Sequence, residues 1–315
     1  METVEIEKEI SFSIGKRNKN FNNHWEQLNI DQFKIVKPTI ICFGGNMTVS
    51  EKDANAMCKI ADHLLSKNPK YGTEYSKYYD IDIVGVSYGK DKGKEQGHLS
   101  KEEVSEFVDK VFIRLCKDDE GNDLPVDQVK KNFGNVTFLS HCYGARAINE
   151  IIVDMYKKMV KEGYNKEDVN EFFRQMNSVS YAPMLAIYNV NNLAVYTGND
   201  ELLTPPGNFK CMDLYESNYK GVSLFKEDEN TISLYTDRMT NGKEHGMQVI
   251  EAETPKAQAV SSIMSRVLTS SIVHSICNNQ SEKFISNMDI DQVYEIAQEQ
   301  LKIEKEKYIK NKKTM

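Results

Sequence analysis

The chain has 315 residues, of which 40% are hydrophobic and 10% aromatic, a composition typical of a globular protein with a sizeable core. Lys and Arg total 40 against 47 Asp and Glu, and the resulting formal net charge of −7 argues against a dedicated nucleic-acid-binding protein. No apolar stretch approaches the roughly 20 residues that cross a bilayer, and the charged start of the chain is unlike a signal peptide. We therefore expect a cytoplasmic protein without a transmembrane segment; secretion by a specialised apparatus leaves no mark in a sequence and stays open.

The cysteines and glycines carry none of the common cofactor patterns. The six cysteines, at positions 42, 58, 116, 142, 211 and 277, are scattered without a C-x-x-C pair, which indicates neither a zinc site nor a disulfide framework. Neither G-x-G-x-x-G nor G-x-x-x-x-G-K-[ST] occurs, so nucleotide binding has no support. We expect no metal and no cofactor.

The first 36 residues are interpreted as an N-terminal hairpin and loop decoration. Val4, Ile6 and the segment from Ile10 to Phe12 alternate with polar residues, as in a half-buried strand. The polar, Asn-rich stretch from Lys16 to Asn23 predicts a loop.

From residue 37, short apolar runs alternate with amphipathic segments. Strands are predicted at Thr39–Phe43, Ile81–Val86, Asn135–Leu139, Ser178–Tyr181, Leu193–Tyr196 and Ile232–Tyr235. Helices are predicted between them, with N-caps at Ser50, Ser100, Asn165 and Thr254. This alternation predicts one α/β domain over residues 37–280, a mostly parallel sheet with helices on both faces and little or no cap domain. Residues 281–315 are predicted to form a C-terminal amphipathic helix with a Lys-rich tail.

The most informative segment joins the third of these strands to the following helix. It reads Val-Thr-Phe-Leu-Ser-His-Cys-Tyr-Gly-Ala-Arg over residues 136–146. Ser140 and Gly144 place small residues two before and two after Cys142, which a tight strand-to-helix turn requires. The helix N-terminus beneath such a turn stabilises a thiolate or an oxyanion.

This segment resembles the nucleophile elbow of the α/β-hydrolase superfamily, G-x-S-x-G on a strand-turn-helix. Two positions depart from that pattern, because Ser140 replaces the first glycine and Cys142 replaces the serine. Cysteine at the elbow occurs in branches such as dienelactone hydrolases and polyhydroxyalkanoate synthases. The resemblance implies that Cys142 is the nucleophile.

The resemblance also implies the partners of Cys142, because the family's chain order is nucleophile, acid, histidine. Asp200, in a loop after the strand Leu193–Tyr196, matches the acid; Glu201 and Asp237 are alternatives. His245, in a loop before the long helix, matches the base. We interpret the rival His141 as structural, since the neighbour of an elbow nucleophile usually points away from it.

The glycine pair after the first strand of the domain matches the place where the family supplies an oxyanion amide. The resemblance assigns the amides of Gly45 and Tyr143 to the oxyanion hole, and Gly44 and Asn46 to substrate binding. Gly44 and Gly45 alternatively form only a tight turn.

The resemblance implies a hydrolase, an esterase or thioesterase, that acts on a small-molecule or acyl-bearing ester, thioester or lactone through an acyl-enzyme. Two alternatives stay open: an acyltransferase with the same triad, and a non-catalytic scaffold of the same fold. Lys90, Lys92 and Lys94 lie in a loop at the same end of the sheet, and we interpret them as solvated. Substrate identity and oligomeric state do not follow from the sequence.

Overall fold

The computed structural model describes residues 12–18, 24–46, 48, 50–67, 80–88, 98–198, 200, 222–236, 239, 245–281 and 288–313. Its strands are β1 (Ser13–Asn18), β2 (His24–Leu28), β3 (Thr39–Phe43), β4 (Asp82–Ser87), β5 (Val136–His141), β6 (Asn177–Tyr181), β7 (Asn191–Thr197), β8 (Val222–Lys226) and β9 (Thr231–Thr236). They form one sheet in the order β2-β1-β4-β3-β5-β6-β7-β9-β8.

Most of the sheet is parallel. The strands from β4 to β9 in that order pair in parallel, whereas the β1–β2 hairpin and β8 pair antiparallel at the two edges. Every residue of β3 is buried, as expected for a strand covered on both faces. The prediction of an α/β protein with a mostly parallel sheet is confirmed.

Helices cover both faces of the sheet. They are α1 (Glu51–Ser66), α2 (Lys101–Phe107), α3 (Val126–Phe133), α4 (Tyr143–Lys161), α5 (Lys166–Arg174), α6 (Pro255–Gln280) and α7 (Ile290–Lys313). Ile41 and Phe43 of β3 pack in a core with α2 to α5, whereas Ile40 and Cys42 pack with α1, α6 and α7. None of the helices in the described ranges has the length and apolar character needed to cross a bilayer.

The predicted N-caps are present at the helix starts. Ser50 and Ser100 each form a capping box with the residue three positions on, and Asn165 and Thr254 each accept a hydrogen bond from a first-turn amide. The helix predicted after the Ser100 N-cap remains α-helical only to Phe107. After α2 the backbone forms a π turn (Val108–Phe112) and a 3₁₀ turn (Ile113–Cys116), which keeps its apolar side chains in the core.

The N-terminal prediction needs correction. Residues 1–11 lie outside the described part, and the strand β1 begins only after Phe12. The predicted loop was wrong for Lys16 to Asn18, which belong to β1. Backbone pairing with β2 and β4 on its two sides, as in Lys16 opposite both Glu26 and Val84, outweighs the polar side chains. The edge strand β8 was not predicted.

The strand order reverses direction at β3. The chain passes from β3 through α1 to β4 on one side, then returns across β3 to β5 on its other side. In open α/β sheets a crevice forms outside the carboxyl ends of two such strands, and ligands bind there. The segments that follow β3 and β5 therefore meet at this edge.

Candidate active site

Cys142 lies at the sharp turn between β5 and α4. Its φ of 52° and ψ of −119° belong to a region that residues with a side chain rarely adopt, at a cost of about 1–3 kcal/mol. The residue turns the chain from strand to helix and is the N-cap of α4. Its thiol thus stands at a helix N-terminus, where the helix dipole favours negative charge.

Glycine is required at position 144 because α4 begins against the end of β3. A Cβ atom on Gly144 would lie 2.7 Å from the carbonyl oxygen of Gly44 and closer still to that of Phe43. Both are backbone atoms, so neither can rotate away. This close approach holds the chain that follows β3 beside Cys142.

Replacing Gly144 with alanine is expected to lower the free energy of unfolding by about 2–3 kcal/mol, because the new Cβ must displace backbone. Helix propensity alone predicts the opposite sign, since alanine is favoured over glycine by about 1 kcal/mol. Urea unfolding followed by circular dichroism measures the change.

Gly121→Ala is the matched control for this substitution. Its φ of 85° gives conformational strain, but nothing lies within 4 Å of its Cβ position. We expect a loss of about 1 kcal/mol there. A Gly144→Ala protein as stable as the wild type contradicts the close approach of α4 to β3.

Ser140, two residues before Cys142, is completely buried between two strands. Its hydroxyl donates to the Ser180 hydroxyl on β6 at 2.9 Å. The small side chain thus fits the space between β5 and β6 and pairs its polar atom there.

The structure brings Cys142, His245 and Asp200 together. The His245 Nδ1–H donates to both carboxylate oxygens of Asp200, at 2.7 and 2.9 Å. The Cys142 thiol lies close enough to the His245 ring to interact with it electrostatically, and both side chains line the same groove. Because Asp200 holds Nδ1, the nitrogen available to the sulfur is Nε2. The three groups form a chain from carboxylate to imidazole to thiol, and all are less than 9% exposed.

This environment changes the protonation of His245. Burial alone would lower its pKa, but the hydrogen bond to Asp200, the charge of Asp200 and the interaction with Cys142 raise the pKa to about 9. The imidazolium form is therefore favoured at neutral pH. A cation beside the sulfur stabilises a thiolate.

The two alternative acids, Glu201 and Asp237, lie outside the described residues, as do Lys90, Lys92 and Lys94. Asp200 directly follows β7, the strand between β6 and β9.

Gly45 and Tyr143 both lie next to Cys142. Tyr143 is the first residue of α4, so its N–H has no partner within the helix. Gly45 approaches from the other side: a Cβ there would be 3.3 Å from the Cβ of Cys142. The sequence predicted these two amides as oxyanion donors, and the structure places both residues at Cys142.

Tyr88, which the sequence analysis did not single out, fixes the turn after β3. Its hydroxyl donates to the carbonyl oxygens of Gly44 and Gly45, the latter at 3.2 Å. Burial, together with the nearby Tyr143 and Cys142, raises the pKa of Tyr88 well above its usual value, so the hydroxyl stays a donor. The orientation of these two peptide groups is thereby set.

A groove of about 310 Å³ opens over Cys142. It is lined by Gly45, Asn46, Thr48, Asp53, Ala56, Met57, Ile60, His141, Cys142, His245, Met247 and Gln248. Of the two predicted substrate-binding residues, Asn46 lines the groove, whereas Gly44 lies against the Thr48 side chain. The sequence did not indicate that α1 and the 3₁₀ turn Met247–Glu251 form walls of the groove. Apolar helix positions have the same pattern whether they face a core or a groove.

His141 is bound to the loop that carries His245. Its Nε2 donates to the His245 carbonyl oxygen at 2.7 Å. Its ring centroid lies 5.0 Å from that of His245 and 6.2 Å from that of Tyr181. The structural interpretation of His141 therefore left out both its contact with His245 and its place in the groove wall.

Within the described ranges, no group of three His, Cys, Asp or Glu side chains is arranged to hold a metal ion.

No protein-family model and no curated protein matches the chain.

Proposed function

We propose that the protein is a cysteine-dependent acyl hydrolase, built as a single α/β-hydrolase-like domain. The observation that carries the proposal is the cluster of Asp200, His245 and Cys142, in which His245 donates to Asp200 and Cys142 lies beside the imidazole at a strained strand-to-helix turn. The chain order of nucleophile, acid and histidine supports it, as do their places after β5, β7 and β9. The direct connection of β6 to β7 over residues 182–190 supports a domain with little cap.

The residues account for both halves of the reaction. The Cys142 thiolate adds to the carbonyl carbon of an ester or thioester, and the amides of Gly45 and Tyr143 hold the oxyanion. When the carbonyl re-forms, the leaving alcohol or thiol takes the proton of the His245 imidazolium. Neutral His245 then removes a proton from water, whose oxygen attacks the Cys142 thioester. The acid leaves, and the proton returns to the sulfur–imidazole pair.

Asp200 acts on the imidazole alone. By accepting from Nδ1–H it fixes the tautomer that presents Nε2 to the sulfur, and its charge stabilises the imidazolium. An alcohol, amine or thiol in place of water gives acyl transfer with the same residues, so product analysis distinguishes hydrolysis from transfer.

Alkylation of the native protein by iodoacetamide between pH 5 and 9 tests the proposal without a substrate. We expect fast labelling of Cys142 below pH 7, because the imidazolium beside it persists to about pH 9. At pH 6.5 a cysteine with an ordinary pKa is about one-hundredth thiolate. The rate of Cys142 labelling at this pH should therefore fall by up to about 100-fold in His245→Ala. Peptide masses locate the adducts.

Cys277, which is exposed on α6, is the internal reference for labelling that does not depend on His245. Its labelling should be the same in both proteins. Labelling of Cys142 that rises only near pH 8–9, or that is unchanged in His245→Ala, contradicts the activated thiolate and favours a non-catalytic scaffold.

A further inference from the structure

His141 has a fixed tautomer. Its Nε2 contacts the His245 carbonyl oxygen at 2.7 Å, and a carbonyl only accepts, so the proton is on Nε2. Burial lowers the pKa of His141 to about 4, with the positive charge of His245 adding to the effect. The ring is neutral at physiological pH, and its Nδ1 carries a lone pair.

The Nδ1 that carries this lone pair lies next to Gly45, another residue of the groove wall. His141 lines the groove together with Cys142, and its Nδ1 lies 3.4 Å from the Cβ position that Gly45 leaves empty. None of the residues that the structure describes donates a hydrogen bond to this nitrogen. An acceptor therefore stands beside the position of the reacting carbonyl, on the side of the Gly45 amide.

An acceptor here favours one kind of substrate. The lone pair repels a carbonyl or ether oxygen and attracts an N–H or O–H group. A site that is built to pair with such a group discriminates against the analogue that lacks it, because the buried acceptor is then left unpaired. Met57, Ile60 and Met247 add apolar surface to the same groove. Its polar lining consists of other residues, Asn46, Thr48, Asp53 and Gln248, together with the two histidines and Cys142.

We propose that His141 is a specificity-determining residue, whose Nδ1 accepts a hydrogen bond from an N–H or O–H group close to the scissile carbonyl of the acyl donor. This inference rests on the proposed acyl-enzyme chemistry at Cys142. The hydrogen bond from Nε2 to the His245 carbonyl gives the same residue a second, separable role, which is to position the base.

Two isosteric substrates test the selectivity. The S-ethyl thioesters of N-acetylglycine and of 4-oxopentanoic acid differ only in an N–H that replaces a CH₂ group. Their relative consumption from an equimolar mixture gives the ratio of kcat/KM directly. We expect the wild type to prefer the N-acetylglycyl thioester by about tenfold, the ratio that one neutral hydrogen bond provides.

Two substitutions separate the roles of the ring nitrogens. His141→Gln keeps a donor near the His245 carbonyl and removes the Nδ1 acceptor, so the preference should fall to about one. His141→Asn keeps a polar atom at the Nδ1 position and loses the bond to His245. It should lower both rates and retain the preference, which a purely structural role does not predict.

Equal consumption of the two thioesters by the wild type overturns the inference and leaves the proposed function standing. A full preference in a folded His141→Gln protein overturns it as well. If neither thioester is consumed and Cys142 is never acylated by either, the proposed function fails and the inference fails with it. The wild-type ratio needs no variant, so misfolding of a substituted protein leaves the test intact.

Discussion

Replacing Cys142 with alanine is expected to lower kcat/KM for thioester cleavage by roughly 10⁴–10⁶-fold. Without the sulfur no acyl-enzyme forms, so the two-step route through a thioester is lost. The residual rate comes from the amides of Gly45 and Tyr143 and from substrate binding. Steady-state kinetics with a simple S-ethyl thioester, and intact mass for the acyl-enzyme, measure the loss.

Cys277→Ala is the matched control, because this cysteine is exposed on α6. Its kinetics should equal those of the wild type. A Cys142→Ala protein that keeps more than a tenth of the wild-type kcat/KM is incompatible with a cysteine nucleophile.

Backbone strain gives a second readout at the same position. Because φ is 52° at Cys142, glycine adopts this conformation more easily than alanine. We therefore expect Cys142→Gly to be more stable than Cys142→Ala by about 1 kcal/mol, although both are inactive. A Cys142→Gly protein that is more stable than Cys142→Ala shows that backbone strain at this turn, and not general damage to the fold, sets the difference in stability.

Replacing Asp200 with asparagine is expected to lower kcat by about 10³–10⁴-fold. The amide can donate to Nδ1 and so favour the wrong tautomer of His245. The substitution also removes a hydrogen bond and a negative charge that raise the pKa of His245 to about 9, so that pKa must fall. The imidazolium then loses its proton at lower pH. The fast labelling of Cys142 should become restricted to a narrower, more acidic range.

Asp119→Asn provides the control. The Asp119 carboxylate is exposed, and its ion pair in the described residues is with Lys34 at the surface. No change in kcat or in the labelling profile is expected there. An Asp200→Asn protein with an unchanged labelling profile would show that the carboxylate does not determine the protonation of His245.

The sequence predicts the parts of the molecule that local patterns encode. Buried strands and capped helices, such as β3 and the helix that begins after Ser50, are specified by residues within one or two turns. The elbow is equally local, because Ser140, Cys142 and Gly144 lie within five positions. The requirement for glycine at position 144 is not local. It comes from the backbone atoms of Phe43 and Gly44, about 100 residues earlier in the chain, which a Cβ would contact.

The parts that the sequence does not predict are contacts between distant segments. The role of His141 depends on the backbone carbonyl of His245, 104 residues away. No side-chain pattern records an acceptor of that kind. β1 is similar, because backbone pairing with β2 makes a strand of the polar segment from Lys16 to Asn18, and Lys16 also pairs with β4.

The parallel sheet order also affects when the site can exist. Gly45, Cys142, Asp200 and His245 are each about 45 to 100 residues from the next along the chain, and contacts of such high sequence separation form slowly during folding. A chain emerging from the ribosome exposes Cys142 about 100 residues before His245 is synthesised. Until β9 and the following turn have joined the sheet, this cysteine has no imidazole partner. Fast labelling of Cys142 by iodoacetamide is therefore expected only once synthesis and folding are both nearly complete.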